Sequence, residues 1–395
     1  MKGLIALALA YILSQFYRSF LAVLTPQLSA DLSAGKADLA LASGIWFLTF
    51  ALMQFAVGVG LDRFGPRRTA GIIFGVGATS GALVFASAQS PTAIVIAMGL
   101  FGIGCSPVLM ASLFIFARRF DAGTFAMLTS WLVALGNTGN VIGASPLALA
   151  VDLYGWRTTM LMLAGITGLV SLGVYLLVQD PPQEKQESAG FRGYRQLIRI
   201  RALWPIMIMT LLCYAPVVSI RGLWAGPYLH DLHQADSVQI GTVTLYMAIA
   251  MIVGSLVYGP LDRLLGTRKW VVFTGNLLVL CALLMLSLSL SPVSSIHYAT
   301  VLLIVIGLCG TSYGVVMAHG RSFLPTHLVG RGVTLFNFCS MFGAGTMQFA
   351  SGRLMDAHAQ PGSVHSYQML FGFYALMLAI ALIVYLGSRE SHARH

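Results

Sequence analysis

The chain has 395 residues, of which 57% are hydrophobic and only 9% are charged, and its mean hydropathy is +0.82. A soluble domain carries about a quarter charged residues, so this composition excludes an ordinary soluble protein. The net charge of +10 at pH 7 would suit a nucleic-acid partner, but the positions of the basic residues explain it through membrane topology instead.

Long apolar blocks predict an all-α membrane protein that lies in the lipid bilayer. A bilayer core of about 30 Å is crossed by about 20 helical residues at 1.5 Å each. Span 1 begins almost at Met1, but its apolar run is longer than that of a signal peptide, so we expect a retained helix. The twelve predicted spans lie near residues 3–24, 38–61, 69–89, 92–117, 124–149, 157–178, 203–229, 237–261, 270–290, 296–320, 332–353 and 367–387.

Basic residues are concentrated in alternate loops. The outer loops hold only Lys36, Arg157 and Arg353. The positive-inside rule then predicts a multi-pass protein of the cell inner (plasma) membrane with both termini in the cytoplasm, and no nucleic-acid partner is needed. The basic residues on the predicted cytoplasmic side are Lys2, Arg63, Arg67, Arg68, Arg118, Arg119, Lys185, Arg192, Arg195, Arg199, Arg201, Arg263, Arg268, Lys269, Arg331, Arg389 and Arg394.

The longest polar stretch divides six spans from six. It predicts an N-terminal six-helix bundle at 1–178, a cytoplasmic linker at 179–202 and a C-terminal six-helix bundle at 203–395. The basic second part of the linker is typical of a short helix on the inner membrane surface.

The two predicted bundles carry an internal repeat with an offset of about 200 residues. Three pairs of segments match in the same order, and duplicated halves around a midplane site are a transporter design. The pairs are 11–18 (YILSQFYR) with 214–221 (YAPVVSIR), 61–68 (LDRFGPRR) with 261–269 (LDRLLGTRK), and 99–102 (GLFG) with 307–310 (GLCG).

The segment 58–68 (GVGLDRFGPRR) resembles the signature loop between the second and third helices of the major facilitator superfamily. The resemblance implies two pseudo-symmetric six-helix bundles that expose a central site to one side of the membrane at a time. It also implies a conformational latch on the inner side, in which Asp62 pairs with a cation after span 4. The expected latch residues are Gly58, Asp62, Arg63, Gly65, Arg67, Arg118 and Arg119, with Asp262 and Arg263 as the second copy.

Arg18 and Arg221 occupy the same place in the repeat, each seven residues after a tyrosine. A charge inside a membrane helix costs roughly 3 kcal/mol, and arginine does not lose its proton. The pair therefore predicts a cavity that binds an anion, and its placement resembles that of organophosphate–phosphate antiporters in the superfamily. The predicted substrate-binding residues are Arg18, Arg221, Tyr11, Gln15, Tyr17, Tyr214, Trp224 and His319.

No Asp or Glu falls in the middle of a predicted span, so a buried carboxylate proton relay is missing from the sequence. His319 is the mid-span group that titrates near neutral pH, which makes it the proton-coupling candidate. H⁺, a counter-anion, exchange and facilitated movement all stay open. We expect a monomeric transporter of a small organic anion, such as a carboxylate, sugar acid or phosphorylated metabolite.

Two alternatives remain, drug efflux by proton antiport and a ligand-binding sensor. Met98 stands where drug–proton antiporters usually carry an arginine, and the segment 136–146 lacks their Gly-Pro pair, which weighs against efflux. Scattered histidines and the absence of metal-ligand spacing predict no enzyme activity, no metal and no cofactor.

Overall fold

Helices form every regular element in the described part of the chain. The structure, a computed structural model, describes residues 2–120, 122–181, 192–288, 295–324, 329–357 and 364–390. The chain divides into two compact units. The first contains Met1–Gln186 with Asp236–Leu245, and the second contains Glu187–Ala235 with Tyr246–His395.

The first unit contains spans 1 to 6. Spans 2 and 3 form one continuous helical stretch that is kinked at Gly65, where the backbone leaves helical geometry. The helices are Lys2–Ser19 and Leu21–Leu32 (span 1), Lys36–Ala86 (spans 2 and 3), Pro91–Arg119 (span 4), Ala122–Ile142 and Ser145–Tyr154 (span 5), and Trp156–Leu177 (span 6).

The remaining helices follow the predicted linker. Its expected short helix is present at Arg192–Ile198, followed by a 3₁₀ turn at Arg201–Leu203. The spans are Trp204–Ser219, Ile220–Trp224 and Ala225–His233 (span 7), Ser237–Leu264 (span 8), Lys269–Leu288 (span 9), Ile296–Cys309 and Tyr313–Arg321 (span 10), Val329–Ala357 (span 11), and Val364–Leu386 (span 12).

Span 11 differs from the others in its polarity. By length and composition, ten helices in the described residues are apolar enough to cross a membrane, or eleven when the bent span 1 is included. Span 11 is not among them because it carries polar residues along its length. Asn337, Ser340, Gln348 and Ser351 are all buried, so these polar groups are covered by protein. The twelve-helix plan therefore holds, although hydropathy alone does not identify its eleventh member.

Several predicted spans are interrupted. Span 1 bends by 51° between Ser19 and Leu21 and continues to Leu32, beyond the predicted end at 24. Span 5 breaks just before Pro146, since proline has no N–H for a helical hydrogen bond and clashes with the preceding turn. Span 7 contains a π-helical turn at Ile220–Trp224.

The internal repeat is visible in the packing of each unit. Gly139 of span 5 lies against the backbone carbonyl of Ile12 in span 1, so a Cβ at Gly139 would clash with that oxygen. Gly343 of span 11 lies in the same way against the carbonyl of Leu211 in span 7. Glycine at these positions lets two backbones approach closely, as small residues do in membrane helix pairs.

Candidate functional site

Arg18 lies in the last turn before the bend of span 1. Its guanidinium carbon lies 5.4 Å from the centre of the Trp46 ring and 6.0 Å from the centre of the Phe50 ring, both on span 2. At these distances aromatic faces attract the cation. The guanidinium N–H groups lie in its own plane, so a cation held over a ring still offers a fork that matches carboxylate or phosphate.

Two further polar groups flank Arg18. One turn earlier, Gln15 donates from Nε2 to the Tyr11 hydroxyl at 2.8 Å, and both side chains are buried. Among the described residues, Gln15 Oε1 and Trp46 Nε1 find no hydrogen-bond partner. Buried polar groups are nearly always hydrogen-bonded. A polar ligand beside Arg18 would meet one buried acceptor and one buried donor.

Tyr17 serves packing within the first unit. It is fully buried, its hydroxyl lies 2.8 Å from Thr167 Oγ1 on span 6, and its ring stacks on Phe101 at 4.0 Å. Although Tyr17 is next to Arg18 in sequence, its polar group is directed to span 6. The prediction that it binds substrate therefore has no support from this geometry.

Arg221 of the second unit is only 2% exposed and lies inside the π-helical turn of span 7. π-Turns are rare and are frequent at functional sites. The matching residue Arg18 also lies at a helix irregularity, the bend of span 1. The two arginines therefore share both their repeat position and a local departure from α-helical geometry.

Trp224 is tied into a buried hydrogen-bond network that joins spans 7, 11 and 12. Its indole N–H donates to Ser351 Oγ at 3.0 Å, and the Tyr374 hydroxyl donates to the same oxygen at 3.0 Å. Ser351 Oγ in turn donates to the Gln348 carbonyl at 2.9 Å. The polar group of Trp224 is thus already used within the protein.

Tyr214, the repeat partner of Tyr11, has a different environment. Its ring centre lies 5.6 Å from that of Tyr313 on span 10, and the Tyr313 hydroxyl donates to Asn337 Oδ1 on span 11 at 2.9 Å. The Tyr214 ring therefore packs against a residue that bridges spans 10 and 11.

His319 joins span 10 to the end of span 12. Its Nε2 lies 3.0 Å from the backbone carbonyl of Arg389, and its Nδ1 lies 2.6 Å from the Tyr385 hydroxyl. Because a carbonyl only accepts, Nε2 carries the proton, and in the neutral ring Nδ1 accepts from Tyr385. The side chain is fully buried and both ring nitrogens have protein partners. Its role in proton coupling or substrate binding stays a prediction.

The signature loop is held by the chain that follows span 6. Gly65 has φ 81° and ψ 164°, and an added Cβ would lie 2.6 Å from Asp180 Cγ. Asp180 Oδ1 accepts from the Arg67 backbone N–H at 2.7 Å, and Arg67 Nε donates to the Tyr175 carbonyl at 2.6 Å. From span 4, Arg119 donates to the Gln179 carbonyl at 3.0 Å. We call this group, 65–67 with 175–180 and Arg119, the first clasp.

The second unit repeats this arrangement after span 12. Thr267 donates to Glu390 Oε1 at 2.8 Å, and Lys269 donates to the Leu386 and Ser388 carbonyls at 2.7 and 2.8 Å. His319 on span 10 contacts the carbonyl before Glu390, as Arg119 on span 4 contacts the carbonyl before Asp180. We call 267–269 with 386–390 and His319 the second clasp.

The other predicted latch residues are placed as follows. The side chains of Asp62, Asp262 and Arg263 lie outside the described residues, so the expected pairing of Asp62 stays a prediction. Arg63 lies 5.5 Å from the Phe64 ring and Arg118 lies 4.3 Å from the Phe114 ring. A Cβ on Gly58 would meet no described atom within 4 Å, so no close helix approach is seen at this predicted latch residue.

Comparison with known families decides the class of the protein. A model described as Major Facilitator Superfamily matches residues 7–348 and 224–395. The chain belongs to the major facilitator superfamily. Superfamily membership and the twelve-helix fold confirm the resemblance of the signature loop, and they identify a membrane transporter family and not an enzyme family.

Individual members of the superfamily add detail. The membrane sensor protein UhpC of Salmonella typhimurium is 26% identical over 288 residues, which cover 65% of this chain and 62% of the sensor. The chain thus matches less than two thirds of the length of that relative. The uncharacterized MFS-type transporter YcxA of Bacillus subtilis is 24% identical over 404 residues, which cover 97% of this chain and 94% of YcxA.

A solved superfamily structure shares the fold. The D-xylose–proton symporter aligns with a TM-score of 0.79 over 98% of this chain and 97% of that chain, at 13% identity. At this identity the likeness concerns the fold alone.

Sequence reasoning missed four residues around the predicted sites of this superfamily member. Trp46 lies in an apolar span and Gln348 in the more polar span 11, and no local pattern reveals that their polar atoms are buried without a partner among the described residues. Asp180 and Glu390 contact loops 113 and 123 residues earlier in the chain. The sequence signal for these two acids was that Asp180 follows span 6 and Glu390 follows span 12, at matching places in the two halves.

Proposed function

We propose that the protein transports a small organic anion by alternating access, with Arg18 and Arg221 binding the negative charge. The observation that carries this proposal is the burial of Arg221, 2% exposed inside a membrane span, at the repeat position of Arg18. A guanidinium keeps its charge at any physiological pH, so an anionic ligand is favoured there.

The surroundings of Arg18 support an anion that also carries hydrogen-bonding groups. Trp46 supplies a buried N–H and Gln15 a buried carbonyl oxygen, neither of which has a partner among the described residues. Carboxylates, sugar acids and phosphorylated metabolites combine negative charge with such groups. A cationic substrate is disfavoured because the sequence carries no mid-span Asp or Glu.

The two clasps suit alternating access because each holds the loop of a unit against the end of a span in that same unit. A transporter of this type needs bundles that move as rigid bodies. Contacts that stiffen each bundle internally favour such motion over local distortion.

Binding of anions to purified protein tests the proposal. A panel of carboxylates, sugar acids and sugar phosphates is screened by thermal shift, because a ligand at 100 times its Kd stabilises a protein by about 2.7 kcal/mol. Arg18→Gln and Arg221→Gln should each raise the Kd of a hit by about 10- to 150-fold, the value of one hydrogen bond to a charged group.

The control is Arg353→Gln, which changes an exposed arginine on span 11 and should leave the Kd unchanged. Anions that bind parent, Arg18→Gln and Arg221→Gln equally well would overturn the proposed role of the pair. Counterflow in liposomes with and without a pH gradient, repeated with His319→Ala, then separates exchange from proton coupling.

A sensor is the second candidate, favoured by the similarity to the sensor protein UhpC. A sensor would bind anions with the same arginine dependence but would show no counterflow of labelled ligand in liposomes. Transport of the label assigns the transporter function, and binding without transport assigns the sensor function.

A further inference from the structure

Gln348 on span 11 is completely buried, yet neither atom of its side-chain amide has a hydrogen-bond partner among the described residues. A buried amide without partners loses its hydrogen bonds to water and gains nothing in return. Buried polar groups are nearly always hydrogen-bonded, so this amide requires a partner other than the described residues.

Two contacts between spans 7 and 11 show that Gln348 and Arg221 lie along the same part of this helix pair. Gly343 of span 11 packs on the Leu211 carbonyl of span 7, and Ser351 of span 11 accepts from Trp224 of span 7. Residue numbers increase along both helices from the first contact to the second, so the helices run parallel. Gln348 and Arg221 both lie between these contacts.

The hydrogen-bond network around Ser351 does not complete the Gln348 amide. Ser351 Oγ donates to the Gln348 backbone carbonyl and accepts from Trp224 and Tyr374, which uses its one donor and both of its lone pairs. This network fixes the backbone at Gln348 and the turn that holds Arg221. It leaves the amide available.

We propose that Gln348 binds a hydroxyl group of the substrate while Arg221 binds its negative charge, so that the protein selects hydroxylated organic anions. This inference rests on the proposed function. An amide both donates and accepts, and a hydroxyl does the same, so the two groups can satisfy each other. A plain carboxylate or phosphate without a hydroxyl would leave the amide unsatisfied.

The test measures Kd values for matched pairs of anions that differ by hydroxyl groups: malate and succinate, lactate and propionate, and glycerol 3-phosphate and propyl phosphate. The parent protein should prefer the hydroxylated member of at least one pair by about tenfold, the value of one hydrogen bond. In Gln348→Leu this preference should fall to about onefold, while the Kd of the unhydroxylated member changes by less than about twofold.

Two further measurements separate this role from a structural one. Gln348→Leu should melt at a higher temperature than the ligand-free parent, because it removes a buried polar group that lacks a partner. A lower melting temperature would show that the amide is satisfied inside the protein and would overturn the inference. The control Thr346→Val removes a nearby hydroxyl that donates to the Phe342 and Gly343 carbonyls of its own helix, and it should keep the preference.

The outcomes distinguish this inference from the proposed function. Anions that bind through Arg221, with no hydroxyl preference in the parent or with the preference intact in Gln348→Leu, overturn the role of Gln348 alone. A panel in which no anion binds the parent, or in which Arg221→Gln changes nothing, overturns both.

Discussion

Replacing Gly65 by alanine tests the first clasp most directly. At φ 81° and ψ 164° the backbone is in a region that is essentially restricted to glycine, where a side chain costs about 1–3 kcal/mol. The added Cβ would also lie 2.6 Å from Asp180 Cγ and 2.7 Å from Asp180 Oδ1. The carboxylate must move, and it then loses the Arg67 backbone N–H that it now binds at 2.7 Å.

The expected loss of stability follows from these two effects. Loss of a side-chain acceptor at the start of a helix costs about 0.5–2 kcal/mol. Together with the backbone cost, we expect Gly65→Ala to destabilise the protein by about 2–5 kcal/mol. Because Asp180 is exposed, the loss of its hydrogen bond should cost near the lower end of the range of about 0.5–2 kcal/mol.

Two other glycines provide matched controls. Gly155 has nearly the same backbone angles, φ 76° and ψ 154°, but a Cβ there would meet no described atom within 4 Å. Gly155→Ala should therefore show the backbone cost alone, about 1–3 kcal/mol. Gly58 is helical and exposed with open space at its Cβ, so Gly58→Ala should be neutral or stabilising by up to about 1 kcal/mol.

Thermal melts of the purified variants rank their stabilities. Gly58→Ala should melt highest, then Gly155→Ala, then Gly65→Ala. In an Asp180→Ala background, Gly65→Ala should cost no more than Gly155→Ala does, because the clashing carboxylate is gone. A Gly65→Ala protein that melts together with Gly155→Ala would refute the clash with Asp180.

Two further variants test the buried networks of the second unit. Ser351→Ala removes the shared acceptor of Trp224 and of a buried tyrosine hydroxyl, so we expect a loss of about 2–4 kcal/mol in a thermal melt, and an unchanged melt would show that other acceptors exist. His319→Leu leaves the Arg389 carbonyl and the Tyr385 hydroxyl without their partner and should destabilise the protein by about 2–4 kcal/mol, whereas His319→Gln keeps a donor and an acceptor and should cost less. Equal melting temperatures for His319→Leu and His319→Gln would contradict the proposal that His319 bridges the Arg389 carbonyl and the Tyr385 hydroxyl.

The helical plan could be predicted because membrane spans are set by local composition. Long apolar blocks and the repeat at 61–68 and 261–269 were sufficient for the family, the span number and the superfamily fold. Span 11 is also among the spans predicted from the sequence, although its buried polar residues lower its hydropathy. The bend of span 1 and the π-turn of span 7 were not predicted, although Pro26 and Pro216 lie near them in the sequence.

The site was harder to predict because burial depends on tertiary packing. Tyr11 and Gln15, both predicted as substrate-binding residues, do lie together on span 1, since residues four apart share a helix face. The same reasoning could not tell that Tyr17 turns towards span 6 or that the polar atoms of Gln348 are enclosed. The binding measurements on Gln348→Leu decide whether Gln348 contacts substrate.

The clasps also have a consequence for biosynthesis. Asp180 follows the sixth span and Glu390 the twelfth, so the ribosome makes each acid only after all the helices of its half. The loop that each acid binds is synthesised earlier, directly after the second or eighth span. It lacks this contact until the acid has been made. Each clasp therefore cannot form until all six spans of its half have been synthesised, and it is a late contact in the folding of that half.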